Sequence, residues 1–330
     1  MAKLSLNSYG TLDDILHDVF EDLLAKPFDV VNTRGTSSEI IGLSITLTNP
    51  RARLSRSEMK SKAFSAIGEL LWYLSGSNEL DFIEHYIGAY QNESEDGRTI
   101  YGAYGPRLLN MRDKFNQLEN VTKLLTANPG TRKAVIQIFD AMGIAEKHAE
   151  IPCTCTLQFL IRNNKLNLYV SMRSNDAFKG LPHDIFAFTM LQEIMAVKLG
   201  VELGSYHHSV GSLHLYQTER NKAKKYINEG YQPTNLNMPE MPPGDPWPSI
   251  KSLLEFESKV RNSEDINPDS MQVDEYWINL AKMLVVYNLF KVNGIQNIDK
   301  IKQLMDSMNP IYKVYIQPRM LKLIKVKLKQ

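Results

Sequence analysis

Near the start of the chain, apolar positions recur at helical spacing. Leu12, Ile15, Leu16, Val19, Phe20, Leu23 and Leu24 share one face between Thr11 and Ala25. Thr11 is placed to cap that helix and Pro27 to end it. From Ile40 to Leu47 the period drops to two, with Ile41, Leu43, Ile45 and Leu47 on one side, which predicts a strand. The spacing of Phe64, Ile67, Leu70, Leu71 and Leu74 predicts a long helix over 57–76, stopped by Gly76. A polar loop, QNESEDGR, follows at 91–98, then a short helix over 120–125 broken at Pro129-Gly130. Strands are expected over 134–139, 156–162 and 166–171, the last two joined through Asn163-Asn164-Lys165 as a hairpin. The 186–199 segment is apolar enough for a buried helix, and 204–215, rich in Gly, Ser and His, reads as loop passing into strand.

After Pro233 the pattern changes. NLNMPEMPPGDPWP carries five prolines and reads as a linker, with amphipathic helices beyond it at 249–262, 274–292 and 299–308. The expected fold class is α+β, a mixed or antiparallel sheet packed with helices. Residues 1–232 form the catalytic domain in this reading, and 233–330 a proline-rich linker and helical extension packed on it.

Charge and composition narrow the picture. The 38 basic and 37 acidic residues nearly cancel, which argues against a nucleic-acid-coating protein. No run approaches eighteen apolar residues and the start has no basic-then-apolar signal, so a soluble cytoplasmic chain with no membrane contact is expected. The two cysteines, Cys153 and Cys155, are too few for a disulfide framework or a four-cysteine zinc site, and no metal is expected. A strand cysteine is usually a small hydrophobe. Cys153 differs, because Pro152 precedes it and Arg173, on the next strand, can steady a thiolate if the hairpin pairs them.

A set of short motifs then falls in register. Pro152-Cys153 is followed by Gln158-Phe159, Arg173-Ser174-x-Asp176, Gly180-Leu181-Pro182 and His214-x-Tyr216. Upstream lie Arg34-Gly35-Thr36, Glu69-Leu70-Leu71-Trp72-x-Leu74, Tyr101-Gly102 and Arg132. Over roughly residues 10 to 220 this resembles the folate-dependent thymidylate synthase family. The resemblance implies that family's fold and a homodimer formed across the sheet. It makes Cys153 the nucleophile that adds to C6 of a pyrimidine nucleotide, Glu69 the organiser of proton transfers, and Tyr101 a neighbour of C5. Cys155 is left to packing on the same strand face. The carbon donor would be 5,10-methylenetetrahydrofolate, with Asp176, Trp72 and Gly180 at the folate. Phosphate would fall to Arg34, Arg173, Ser174 and Arg132, the last from the neighbouring subunit, and Arg guanidinium forks suit phosphate oxygens. His214 and Tyr216 would reach the ribose, and Gln158 belongs with the nucleotide contacts.

Three departures refine this. Where the family reads Gly-Leu-Pro-x-Asn-Ile, this chain has Asp184. An asparagine amide suits the O4 and N3–H of uracil, whereas a carboxyl sharing a proton with N3 suits cytosine. Asp184 therefore resembles the cytidylate hydroxymethylase branch, in which water completes the reaction. His85-Tyr86-Ile87-Gly88-Ala89-Tyr90 lacks the family's shielding tryptophans, which also favours water. Lys133 replaces a second arginine and offers a partner to a 2′-hydroxyl, favouring CMP over dCMP. Thr154 after the nucleophile has no assigned role, and the tail ends in basic LIKVKLKQ, read as a solvated terminus. Methylation of dUMP by a thymidylate synthase, or a non-catalytic nucleotide-binding relic, are the alternatives.

Overall fold

The computed structural model describes residues 7–32, 34–57, 62–235 and 237–327. Seven strands form one mixed sheet: β1 (Asn7–Tyr9), β2 (Val30–Asn32), β3 (Gly35–Leu47), β4 (Val135–Gln137), β5 (Thr154–Arg162), β6 (Lys165–Asp176) and β7 (Glu202–Tyr216). Their order is β1-β3-β7-β6-β5-β4, with β2 paired to β3 off this path. β1 with β3 and β6 with β7 run parallel, and the other pairs are antiparallel. The helices are α1 (Leu12–Ala25), α2 (Ala63–Ser75), α3 (Leu80–Tyr86), α4 (Tyr104–Leu109), α5 (Gln117–Ala127), α6 (Met142–Ala145), α7 (Leu181–Leu199), α8 (Arg220–Asn228), α9 (Trp247–Arg261), α10 (Glu275–Asn293), α11 (Ile298–Asp306) and α12 (Pro310–Lys327). This is the expected α+β class.

Local chemistry explains several boundaries. The Thr11 hydroxyl accepts from the Asp14 N–H at 3.1 Å, capping α1. Asn163 and Asn164 both adopt positive φ (50° and 58°), the two-residue turn whose twist matches a hairpin. α2 ends where Gly76 turns left-handed at φ 71°. It begins only at Ala63, however. Of the helix expected over 57–76, residues 58–61 lie outside the described residues, and Ser57 is not helical.

α7 starts five residues before its expected position, so Asp184 sits in its first turn. It is buried along nearly its whole length, as an apolar helix against a sheet must be. Its Gln192 amide donates to the Leu166, Gly204 and Ser205 carbonyls at 2.9, 3.2 and 3.1 Å, tying together the starts of β6 and β7. The 204–215 segment is strand throughout, not loop passing into strand. Its inward positions include Gly204 and His208, which an apolar-alternation reading misses. Ile41 is also a correction: it is 71% exposed, whereas Ile45 and Leu47 are buried.

The proline-rich stretch is a strap laid on the core. Met238 and Met241 are buried, the Met238 N–H donates to the Arg51 carbonyl at 3.1 Å, and the Met241 N–H to Glu193 Oε1 at 3.1 Å. Glu193 in turn pairs with fully buried Arg53 and with Arg51. Beyond the strap, α10 closes on α2 and α3, with Tyr287 stacked on Phe64 at 5.6 Å and on Tyr86 at 5.4 Å. α12 carries the first part of the LIKVKLKQ tail as helix to Lys327. Among the described residues no helix is long and apolar enough to cross a membrane.

Candidate active site

A cavity of about 1140 Å³ opens over β6, β7 and the N-terminal turn of α7, roofed by α2, the 86–93 segment and the 143–153 segment. β6 contributes Arg173, Ser174 and Asp176, and β7 contributes Ser212, His214 and Tyr216. Alternate residues of a strand face one side, which is why His214 and Tyr216 arrive together, their rings edge-on at 4.9 Å. Close approach of the two parallel strands fixes this floor: a Cβ on Gly211 would lie 2.8 Å from the Arg173 carbonyl oxygen.

Cys153 lies just before β5, on the cavity wall. Arg173 grips the segment that carries it, donating from Nε to the Pro152 carbonyl at 3.1 Å and from Nη2 to the Ile151 carbonyl at 2.9 Å. Burial pushes the Cys153 thiol up to about 12; Glu150 and Asp184 act in the same direction, and Arg173 and Arg34 oppose them. Without a ligand, this is a protonated thiol. The Sγ donates to Glu150 Oε1 at 3.8 Å.

Two carboxyls reach in from helices. Glu69 is fully buried, which raises it to about 7 although Tyr90 donates to its Oε1 at 2.6 Å. That value suits a group that both takes and returns protons near neutrality. Asp184 is half-buried, and desolvation in the cavity, then the charge of Glu69, hold its carboxyl far above the usual range, so it is neutral.

Thr154 acquires a place here. Its N–H and hydroxyl both donate to the Tyr104 hydroxyl, at 3.2 and 3.0 Å, fixing that ring against the cavity. Tyr104, three residues beyond the expected Tyr101, lines this wall. Tyr101 stands outside the lining, its ring stacked on His148 at 3.5 Å. The structure also gathers Arg34, Trp72, Gly180 and Asp176 at the cavity. Asp176 Oδ1 accepts from the Phe178 and Lys179 N–H groups at 2.8 Å each, so a local turn already orients it.

Besides Tyr101, three expected residues, Gln158, Arg132 and Lys133, are not brought to the cavity. The Gln158 amide donates to the Arg132 carbonyl at 2.9 Å, away from it. Lys133 lines a separate cavity of about 360 Å³ with Arg112 and Gln117. Cys155 does not line the cavity; it is the extra residue where the ladder register shifts between Thr154 and Thr156.

Conversely, several lining residues belong to no motif. Glu93 and Glu150 pair with Arg34 at 2.6 and 2.9 Å, and Tyr287 and Arg319 reach the cavity from α10 and α12. The first two carry a sequence signal only in retrospect, as carboxylates flanking a loop and a nucleophile.

A family model described as Thymidylate synthase matches residues 43–284, crossing the proline-rich strap. Two curated relatives are named deoxyuridylate hydroxymethyltransferase. The one from Bacillus phage SP01 is 34% identical over 215 residues, 60% of this chain and 56% of the relative. The one from Delftia phage PhiW-14 is 31% identical over 197 residues, 56% of this chain and 54% of the relative. A thymidylate synthase of Buchnera aphidicola is 29% identical over 166 residues, 49% of this chain and 62% of its own length. The chain thus spans little more than half the length of these relatives.

Proposed function

The chain belongs to the thymidylate synthase family, and from that premise we propose that it transfers a one-carbon unit to C5 of a pyrimidine nucleoside monophosphate, with water completing a hydroxymethyl group. The carrying observation is that Cys153, Glu69 and Asp184 line one cavity. Cys153 adds to C6; Glu69, poised near neutrality, handles the protons at C5 and on the base; Asp184 reads the base edge. Arg34, Arg173 and Ser174 take the phosphate, and His214 with Tyr216 the sugar. Tyr101 packs behind the wall and Tyr104 faces the ring.

The cavity is roomy enough for a second ligand beside the nucleotide. Trp72 Nε1 is buried without a hydrogen-bond partner and Asp176 is pre-oriented, donor and acceptor groups that fit a pterin. 5,10-Methylenetetrahydrofolate, held there, would supply the carbon. Trp72, Gly180 and Asp176 would orient it, and Tyr86, Ile87 and Tyr90 form a wall without tryptophan that admits water.

Cytidine monophosphate is the first substrate reading, CMP before dCMP, since Asp184 can accept from N4–H₂ and donate its own proton to N3. A neutral carboxyl can equally donate to O4 and accept from N3–H of uracil. That ambivalence, with the names of the two phage relatives, favours deoxyuridylate hydroxymethylation as the second reading. Incubation with methylenetetrahydrofolate and CMP, dCMP or dUMP, followed by mass measurement of the product, tests it. A hydroxymethyl increment on a cytidine nucleotide is expected; a methyl increment, or turnover of dUMP alone, overturns the first reading.

A homodimer completes the proposal. Val31, Ile41, Val135 and Tyr169 project from four strands at 80, 71, 41 and 39% exposure, apolar area that a second sheet can cover. Pairing there would let Arg132 and Lys133 serve the partner's phosphate or sugar rather than their own cavity.

A further inference from the structure

Glu150 belongs to none of the motifs, yet it stands where two parts of the reaction meet. Its Oε2 is 2.9 Å from Arg34 Nη2 and its Oε1 is 3.6 Å from Arg173 Nη2, so one carboxylate bridges both arginines assigned to the phosphate. The same Oε1 receives the Cys153 thiol at 3.8 Å. The side chain is 27% exposed at the mouth of the cavity. Two other groups face it: Glu93, which shares Arg34 at 2.6 Å, and Tyr216 from β7; Asp184 acts on the Cys153 sulfur instead.

A nucleotide's phosphate and Glu150 therefore compete for the same two guanidinium groups. A dianion with three acceptor oxygens takes both forks more completely than a carboxylate can. Once its arginines are taken, Glu150 is a carboxylate without a cationic partner, held against a thiol and sharing a hydrogen bond with Glu93. Loss of cationic partners makes a carboxylate a better proton acceptor.

We propose that Glu150 is the proton acceptor for the Cys153 thiol and that the substrate's phosphate switches it on by displacing it from Arg34 and Arg173. The S–H bond breaks and its proton passes to Oε1. The sulfur pair forms the bond to C6, and the C5–C6 π pair moves to C5 in conjugation with C4. When the sulfur is expelled at the end of turnover, the proton returns from Glu150 and the carboxylate re-forms its arginine bridge. This deepens the proposed function and rests on Cys153 being its nucleophile.

Two readouts test it. In a Cys155→Ala background, iodoacetamide alkylation of Cys153 at neutral pH should accelerate several-fold with inorganic phosphate, and Glu150→Gln should abolish that acceleration. This arm needs neither pyrimidine nor folate, so it survives failure of the substrate reading. In exchange of C5 tritium from the nucleotide, Glu150→Gln should lower KM, because the competitor is weakened, and lower kcat by about 10²-fold or more, the usual scale of a lost general base. Glu150→Asp should recover part of kcat. Phosphate acceleration that persists in Glu150→Gln, or a KM change with kcat intact, would leave Glu150 as a mere occupant of the phosphate site and overturn the proposal.

Discussion

The floor of the cavity and its rim are built on different terms. Floor residues, Arg173, Asp176, His214 and Tyr216, stand on β6 and β7 in the sheet interior, where ladder register fixes each Cα. Rim residues, Glu93, His148, Glu150, Tyr287 and Arg319, come from short turns, a loop and the C-terminal helices, and are held by side-chain ion pairs, hydrogen bonds and ring contacts. Backbone ladders are made once and rarely open, whereas exposed charge pairs are individually weak. In the proposed reaction the floor would set what the cavity recognises, and the rim when recognition becomes chemistry.

Perturbing one region at a time can break that division. The largest effect is expected at the nucleophile: Cys153→Ala should abolish C5 tritium release while leaving the thermal midpoint nearly unchanged, and residual release would remove covalent catalysis. On the floor, Asp184→Asn should move the ratio of cytosine to uracil turnover towards uracil by about 10⁴-fold, the scale of a site whose buried polar groups are left mismatched. An unchanged ratio would take Asp184 out of base recognition.

Glu69 gives a pH signature of intermediate size. If its ionised form is required, kcat should rise with pH through about 7, and Glu69→Gln should flatten that profile. Its stability effect has the opposite sign. A carboxyl at about 7 in the fold and about 4.5 in the unfolded chain binds more protons when folded. Stability is therefore fully present below about pH 4.5 and falls as pH rises through about 7. Urea titrations of Glu69→Gln across that window should show a shallower loss than wild type. The smallest effect is expected at Arg319. Stacked 4.7 Å over Phe64, it should raise the KM for folate a few-fold when changed to Ala, with kcat retained. A collapse of kcat would mean that Arg319 is as integral as the floor.

The floor was largely legible before any coordinates, because strand and helix periodicities carry side chains to known faces. Thr11, the Asn163-Asn164 turn and the His214-x-Tyr216 alternation are cases where local rules were enough. β7 was partly hidden because its inward positions are polar. Tyr206 and His208 share a hydrogen bond of 2.8 Å and His208 meets Asn175 at 3.1 Å, burying an imidazole that burial keeps neutral. The rim was not legible. Tyr104 replaces Tyr101 because Thr154 anchors it across fifty residues of chain, and Glu150 finds Arg34 across more than a hundred. No window of sequence contains both ends of such contacts.

Arg173 carries a consequence of its own. The guanidinium assigned to the phosphate also holds the carbonyls of Ile151 and Pro152, the two peptides just ahead of the sulfur. Ligand grip and nucleophile placement are thus one rigid lever with a single fulcrum. A nucleoside without its phosphate should leave that lever slack, and inorganic phosphate supplied alongside it should restore turnover in part, because the anion can then occupy the two arginines without being tethered to the ring.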